Sequence, residues 1–346
     1  MTDPSPLRER RTACGLTQGE LAARAGVSRQ LIAAVEAGRN TPAVDAAIGL
    51  ADALSTTVEA LFSPQPSGVA AALAGGLRDG APLRLARVAN QLVAAELDDH
   101  GISGATWAKA DGVLHAGKLR RFPGARPAGT VLAGCDPAIG VAEAMLGGLG
   151  PRSLLAISAP TGTALRALGA GLIHAAIVHG RPDDLPPAPV PVVRCHLARW
   201  QVGLAYPAKL AGHSLEALLS SGIPLARRDP AAASQQALER ARAAVGLGPT
   251  PPGPYAGGHL DAARTAAILG GAAITTVGAA RAFDLLFAAL EDHVVELWTA
   301  ERWADHPGVN ALTELLTTAA FTDRVSHFGG YDLTQCGTCI PSERPS

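Results

Sequence analysis

The chain has 346 residues, 48% hydrophobic and 17% charged, with a formal net charge of −1. That length calls for more than one domain, and the composition suits a globular protein with a sizeable core, which excludes a disordered chain. Near-neutrality excludes a global positive field for nucleic acid, so any DNA contact must come from a local patch.

The first residues, MTDPSPLRERR, lack the apolar core and cleavage site of a secretory leader. The longest apolar runs, such as Ala266 to Ala280, carry Gly and Thr and fall short of a membrane span. The expectation is a cytoplasmic protein with no membrane partner. Five cysteines, an odd count in a long chain, do not read as a disulfide scaffold.

Leu7 to Phe62 reads as five short helices. Thr17 and Glu20 fit a capping box, so a helix starts at Gln18, and Gly26 ends it in the left-handed conformation. Ser28 caps the next helix, which runs to about Ala37 and stops at Gly38. Leu21, Val27, Ile32 and Val35 fall on one buried face, and Cys14 is expected to pack among these helices. Two short helices joined by a tight Ala-Gly-Val turn make a helix-turn-helix. Its second helix presents Ser28, Arg29, Gln30 and Ala33 to base edges, where Arg and Gln carry the bidentate donors that discriminate guanine and adenine. Gln18, at a helix start, and Arg39 and Asn40, beyond the second helix, are placed for phosphate. From Arg8 to Asn40 six Arg face three Glu, a local charge of +3. That is modest for duplex DNA, and a homodimer reading two half-sites would double the phosphate contacts.

The stretch "LTQGELAARAGVSRQLIAAVEAGRNTP", with its Glu36-x-Gly38-Arg39-x-x-Pro42 close, resembles the Cro/XRE helix-turn-helix family. The resemblance implies DNA contacts at Gln18, Ser28, Arg29 and Gln30. Ala33 and Ala34 stand where many members carry larger readers.

The helical domain is expected to span 1–63, with a Pro/Gly/Ala-rich linker, whose middle suits a short helix, over 64–82. A pair of strands follows, continuing through Trp107 to Leu114. From Thr130 onward strand and helix alternate: TVLAGC, RSLLAIS and HAAIVHG read as strands, AIGVAEAMLGGL and GTALRALGAGL as helices. This predicts an α/β domain with parallel strands. Three strand-to-helix turns are rich in small polar residues: AGCDPAIG, ISAPTGTALRAL and ARRDPAAASQQAL. Ligands in open α/β sheets sit beyond the carboxyl ends of strands, where helix N-termini favour anions. The same residues also serve as ordinary caps. As a pocket they offer Cys135, Asp136, Ser158, Thr161, Thr163, Arg228, Ser234 and Gln235.

In their order along the chain, "VLAGCDPAIGVAEAML", "ISAPTGTALRALGAGLIHAAIVHG", "RWQVGLAYP", "IPLARRDPAAASQQALERA", "GGHLDAARTAAILGGAAITTVGAARAF" and "FTDRVSHFGGYD" resemble the periplasmic-binding-protein-like domain fused to cytoplasmic regulators and related to molybdate-binding proteins. The resemblance covers about 83–335. It implies a type II fold of two α/β lobes gripping a small molecule or anion, with crossings near 201–206 and 286–298, and adds Thr276 and Tyr331 to the ligand-facing set. Where members often carry a Gly-Ser-Gly-Thr-Arg run, this chain has Pro230 to Gln235, without the glycines of close backbone approach or the following Arg, which argues against tight oxyanion binding; Arg228 stands either as an anion partner or in a surface salt bridge.

The tail, 336–346, opens on Cys336-x-x-Cys339. The pair supplies two of the four ligands a structural zinc takes, the others coming from Cys135, Cys195, His196, His115, His259 or His327. It also fits a redox pair, or two unremarkable cysteines; Gly337 and Pro341 favour a loop over a thioredoxin-type helix start. Cys195 reads as core.

No Walker loop, G-x-S-x-G elbow or H-E-x-x-H is present. His174 and His179, five apart, point to opposite faces and suggest separate structural roles. His100, His213, His293 and His306 are expected in loops or on exposed faces, and Asp98-Asp99 and Asp183-Asp184 in solvated turns. With no nucleophile, base and orienter in view, the expectation is a DNA-binding regulator that senses an effector, not an enzyme. The alternative is a regulator answering a metal or redox signal through Cys336 and Cys339.

Overall fold

A computed structural model describes residues 5–62, 69–73, 76–97, 104–148 and 150–340. The chain divides into two compact units, Met1–Ser67 and Gly68–Ser346.

Unit one holds five helices: α1 Pro6–Ala13, α2 Gln18–Ala25, α3 Arg29–Glu36, α4 Val44–Ala53 and α5 Val58–Phe62. Thr17 accepts from the Glu20 N–H while Glu20 accepts from the Thr17 N–H, which closes the capping box. Gly26 ends α2 at φ 67°, and Ser28 caps α3 by accepting from the Leu31 N–H at 3.1 Å. Leu7, Leu21, Ile32, Val35, Leu50 and Leu54 form the core, with Val27 packed partly against it. Cys14 caps the end of α1 and is exposed, not packed among the helices. A helix end leaves its last residue outside the apolar stripe, which the expectation overlooked.

Unit two opens with a small sheet of β1 Val69–Ala71, β2 Pro82–Val88, β3 Gln91–Glu96, β4 Gly112–His115 and β5 Lys118–Arg121, in the order β1-β3-β2-β4-β5. The segment read as linker therefore holds a strand, since β1 pairs in parallel with β3; residues 63–68 and 74–75 lie outside the described ones. Trp107 sits in a short helix, α6 Gly104–Lys109, and not in a strand. His100, Asp98 and Asp99 lie outside the described residues.

A larger sheet follows. β6 Thr130–Gly134, α7 Ala138–Met145, β7 Leu154–Ser158, α8 Thr161–Gly169 and β8 Ala175–Gly180 alternate as the pattern predicts. Then come β9 Val192–Tyr206, α9 Leu215–Ser220, β10 Leu225–Ala226, α10 Ala233–Ala244, α11 His259–Leu269, β11 Ala272–Thr276, α12 Val277–Arg281 and β12 Leu286–Ala300. The chain closes with α13 Pro307–Leu316, α14 Ala319–Ser326 and β13 Cys339–Ile340. The sheet order is β10-β11-β9-β12-β8-β6-β7, with β13 added on β9. β6, β7 and β8 run parallel, while β9 and β12 form a long antiparallel pair that carries the chain from one α/β half to the other. These two strands contain the segments 201–206 and 286–298.

Helices cover both faces, so the central strands β6 and β8 are buried on both. Leu132 and Ile177 point to one core and Val131 and Val178 to the other, the period-two alternation of a strand. Among the described residues no helix is long and apolar enough to cross a membrane.

Candidate functional site

The recognition face of unit one is built by the caps. Ser28 fixes the start of α3, and Arg29 and Gln30 are exposed in its first turn. Arg39 and Asn40 are exposed just beyond its end. Gln18 differs: it is half-buried and its amide donates to Glu36 at 2.9 Å. Glu36 also takes two bonds from Arg11, at 2.6 and 3.2 Å. Burial raises the Glu36 pKa, but the bonds from Arg11 and Gln18 outweigh it and hold the carboxylate ionised. The main-chain N–H groups at the start of α2, rather than the Gln18 side chain alone, are what remains there for a phosphate.

In unit two the ends of β6 and β8, the middles of β9 and β12 and the starts of α7, α8, α10 and α11 converge. Gly134 lets β6 end against Ile177, because a Cβ there would approach the Ile177 Cβ to 2.6 Å. Cys135 and Asp136 follow at once, both buried. Asp136 accepts from the Ala138 N–H at 2.7 Å, the Tyr331 hydroxyl at 2.8 Å and the Trp200 indole N–H at 2.9 Å. Tyr331 and Asp136 are 195 residues apart in sequence, and both were expected to face ligand. Here they tie to each other, and burial raises the pKa of each.

The Cys135 thiol lies 3.0 Å from His179 Nε2. His179 Nδ1 lies 3.2 Å from His293 Nδ1, and His293 Nε2 lies 3.2 Å from the Glu291 carboxylate. Arg240 grips that carboxylate with two bonds, at 2.7 and 2.8 Å, and is the first cause of its lowered pKa. The β12 ladder slips by one residue between Ala289 and Glu291; a bulge of this kind re-aims the side chains that follow it. Beyond it, His293 stands opposite Trp200 in the register. His259, the first residue of α11, is also buried, and both its ring nitrogens lack a partner among the described residues. Trp200 packs on all three rings, at 4.8 Å from His179, 5.4 Å from His259 and 5.5 Å from His293.

Two histidine expectations change. His293 is 1% exposed and not on a surface. His179 belongs to a shared cluster, while His174, on the other face, accepts from the Val131 N–H at 3.0 Å and packs on Trp303. A strand position hides its environment from sequence, because the partner strands lie from about 40 to more than a hundred residues away.

Arg228 is 0% exposed; its Nε and both terminal nitrogens meet no oxygen or nitrogen acceptor among the described residues, and the Cys135 sulfur is the group they approach as donors. Its charge is felt at Cys135, His179 and His259. Burial pushes the Cys135 thiol up, against the pull of Arg228. The hydroxyls of Thr161, at the start of α8, and Ser234, in the first turn of α10, are likewise buried without partners among the described residues. The loops meet here: a Cβ on Gly162 would lie 3.8 Å from that of Ala231, and one on Gly258 would lie 3.5 Å from the Ser158 hydroxyl. Ser158 itself is exposed at the rim.

The remaining expected ligand residues are engaged elsewhere. Thr163 accepts from Arg166 at 2.9 Å. Gln235 accepts from the Arg228 N–H at 2.9 Å and donates to Glu239 and Thr250, which makes it a support for Arg228. Thr276 is buried where β11 meets α12.

Cys339 is disulfide-bonded to Cys195, across the β13–β9 pair, and Cys336 is free. The chain thus has one disulfide where none was expected. With its sulfur bonded, Cys339 is not available beside Cys336 as a metal ligand in this state. The pairing was invisible because 144 residues separate the two cysteines.

A thiol, a ring nitrogen and an orienting chain form the order a cysteine nucleophile needs. The Cys135 thiol is buried, and that burial shifts it toward its protonated, less nucleophilic form.

A family profile described as helix-turn-helix matches residues 7–61, and one described as a PBP superfamily domain matches residues 143–317. An uncharacterized HTH-type transcriptional regulator of Methanothermobacter thermautotrophicus is 52% identical over 48 residues, covering 14% of this chain and 70% of that protein. Solved structures are similar as well. The restriction-modification controller protein from Aeromonas hydrophila has 38% identity, covering 16% of this chain and 86% of that one, with a TM-score of 0.16. The tungstate ABC transporter from Geobacter sulfurreducens has 16% identity, covering 57% and 97%, with a TM-score of 0.41. The chain belongs, through its first unit, to the helix-turn-helix transcriptional regulators and, through its second, to the PBP superfamily.

Proposed function

We propose that this is a one-component regulator whose second unit binds a small anionic effector and thereby alters how its first unit holds an operator. The observation that carries the effector's charge is Arg228, a fully buried guanidinium whose three nitrogens meet no oxygen or nitrogen acceptor among the described residues, joined by the unpartnered Thr161 and Ser234 hydroxyls. A buried charge without a partner costs several kcal/mol, so a fold retains one where a ligand supplies the counter-charge. The starts of α8, α10 and α11 lie around this point, and their first-turn N–H groups add to the preference for an anion, while that of Ala138 in α7 is taken by Asp136.

Arg29 and Gln30 read bases, while Arg39, Asn40 and the start of α2 hold phosphates. The local +3 charge favours a homodimer on two half-sites. The effector acts by binding one arrangement of the α/β halves better than another, and the coupling equals that difference in affinity.

The test pairs two measurements on the full chain. Thermal shift against a panel of inorganic oxyanions and small carboxylates identifies anions that raise the melting temperature with concentration. Fluorescence anisotropy with operator DNA then measures each hit. The reading predicts a hit that shifts both, with both shifts lost in Arg228→Met. Anions that stabilise wild type and Arg228→Met alike would defeat it.

A further inference from the structure

We infer that Cys135, His179 and His259 form a metal site for a thiophilic cation such as Zn(II), completed by an exogenous anion on the Arg228 side. The three side chains come from the ends of β6 and β8 and the start of α11, and all are buried. One ligand atom from each lies within 4.8 Å of the other two, the sulfur–nitrogen pair at 3.0 Å. Ligand atoms around a tetrahedral zinc with Zn–S near 2.3 Å and Zn–N near 2.0 Å sit roughly 3.5 Å apart. The observed spread brackets that value, so small side-chain rotations close the site.

The surroundings are those of a ligand set. The Glu291 carboxylate, fixed by Arg240, accepts from His293 Nε2–H, which leaves His293 Nδ1 as acceptor for His179 Nδ1–H. The proton is thereby held on Nδ1 of His179, and the lone pair of Nε2 is aimed at Cys135 Sγ. Ligating histidines are usually oriented by a partner on the second ring nitrogen; here that partner is His293, itself fixed by the Glu291 carboxylate. His259 brings two ring nitrogens that satisfy no other group among the described residues. A buried imidazole with nothing to bond is costly, and a metal removes that cost.

Charge decides the fourth ligand. A dication is offset by the Cys135 thiolate and by buried Asp136, while Arg228 adds a positive charge. One more anion brings the cluster to neutrality, and chloride, hydroxide or the effector anion fills that role. Binding transfers the thiol proton to solvent and moves no electrons. The three protein ligands stand independently of the effector reading.

The full chain is stripped with a chelator, kept in chloride buffer without DNA or other anions, and titrated with Co(II), then Zn(II). One equivalent per chain should give a thiolate-to-Co(II) charge-transfer band that Zn(II) abolishes. Cys135→Ser should remove the band and Cys336→Ser should keep it. His259→Gln, whose ring loses no partner, should weaken Zn(II) binding by at least about 100-fold, and Glu291→Gln by roughly 10–100-fold. Circular dichroism confirms that each variant is folded. A folded wild type with no band, or a band that survives Cys135→Ser, overturns the site. Because no operator or effector is present, failure of the regulatory reading leaves this result untouched.

Discussion

His179 and His293 face each other Nδ1 to Nδ1 at 3.2 Å, deep between β8 and β12, so one ring must donate and the other accept. Both are held neutral: burial brings the pKa of each down to about 4, from 6.5. In the unfolded chain the same rings take up protons first. Their contribution to stability is therefore intact above about pH 6.5 and is lost as the pH falls toward 4, by up to about 1.4 kcal/mol per pH unit for each ring. His174 and His259 act in the same direction, so the informative quantity is a difference. Urea unfolding at pH 7.5, 6 and 5 should show His293→Gln losing close to one proton of the wild-type dependence, the pair being read as a unit.

Arg228 should oppose stability to binding. Arg228→Met removes an uncompensated buried charge, and without effector it should unfold at higher denaturant than wild type, by on the order of 1–4 kcal/mol. Equal or lower stability of the variant in matched chemical denaturation would mean that the guanidinium is already compensated.

On the operator, Arg29→Ala and Gln30→Ala should each cost about 1–3 kcal/mol of specific binding and relax the preference at one base pair. Arg39→Ala should weaken all sequences alike and lower the salt slope by about one per chain. Anisotropy over a salt series separates the two behaviours.

The Arg11–Glu36 ion pair ties α1 to α3, with side chains 10% and 5% exposed. Arg11→Met leaves Glu36 with Gln18 alone and should destabilise unit one by about 3 kcal/mol. The melting transition of the isolated segment 1–67, compared with its wild type, reads that loss.

Thiol titration of the denatured, unreduced chain should find three thiols, those of Cys14, Cys135 and Cys336, and five after reduction. Loss of the Cys195–Cys339 bond should lower the stability of unit two by about 2–5 kcal/mol. Five thiols before reduction would show the bond absent in solution.

What the sequence by itself determined is what local chemistry controls. The T-x-x-E box, Gly26 and Ser28 each act within four residues, so the helix-turn-helix and its exposed Arg29 and Gln30 could be read directly. The alternation of apolar strands and Gly-ended helices likewise placed β6 through β8, and the three polar turns pointed to Cys135, Asp136 and Arg228. Tertiary structure alone decided the rest. Asp136 meets Trp200 and Tyr331, His179 meets His293 and Cys195 meets Cys339 across separations of 64 to 195 residues, and no periodicity encodes which strands become neighbours. The same holds for β1, too short to show a pattern until β3 pairs with it. Register and burial set the protonation, the partner and the chemistry of each such side chain, and both arise only when distant segments are packed together.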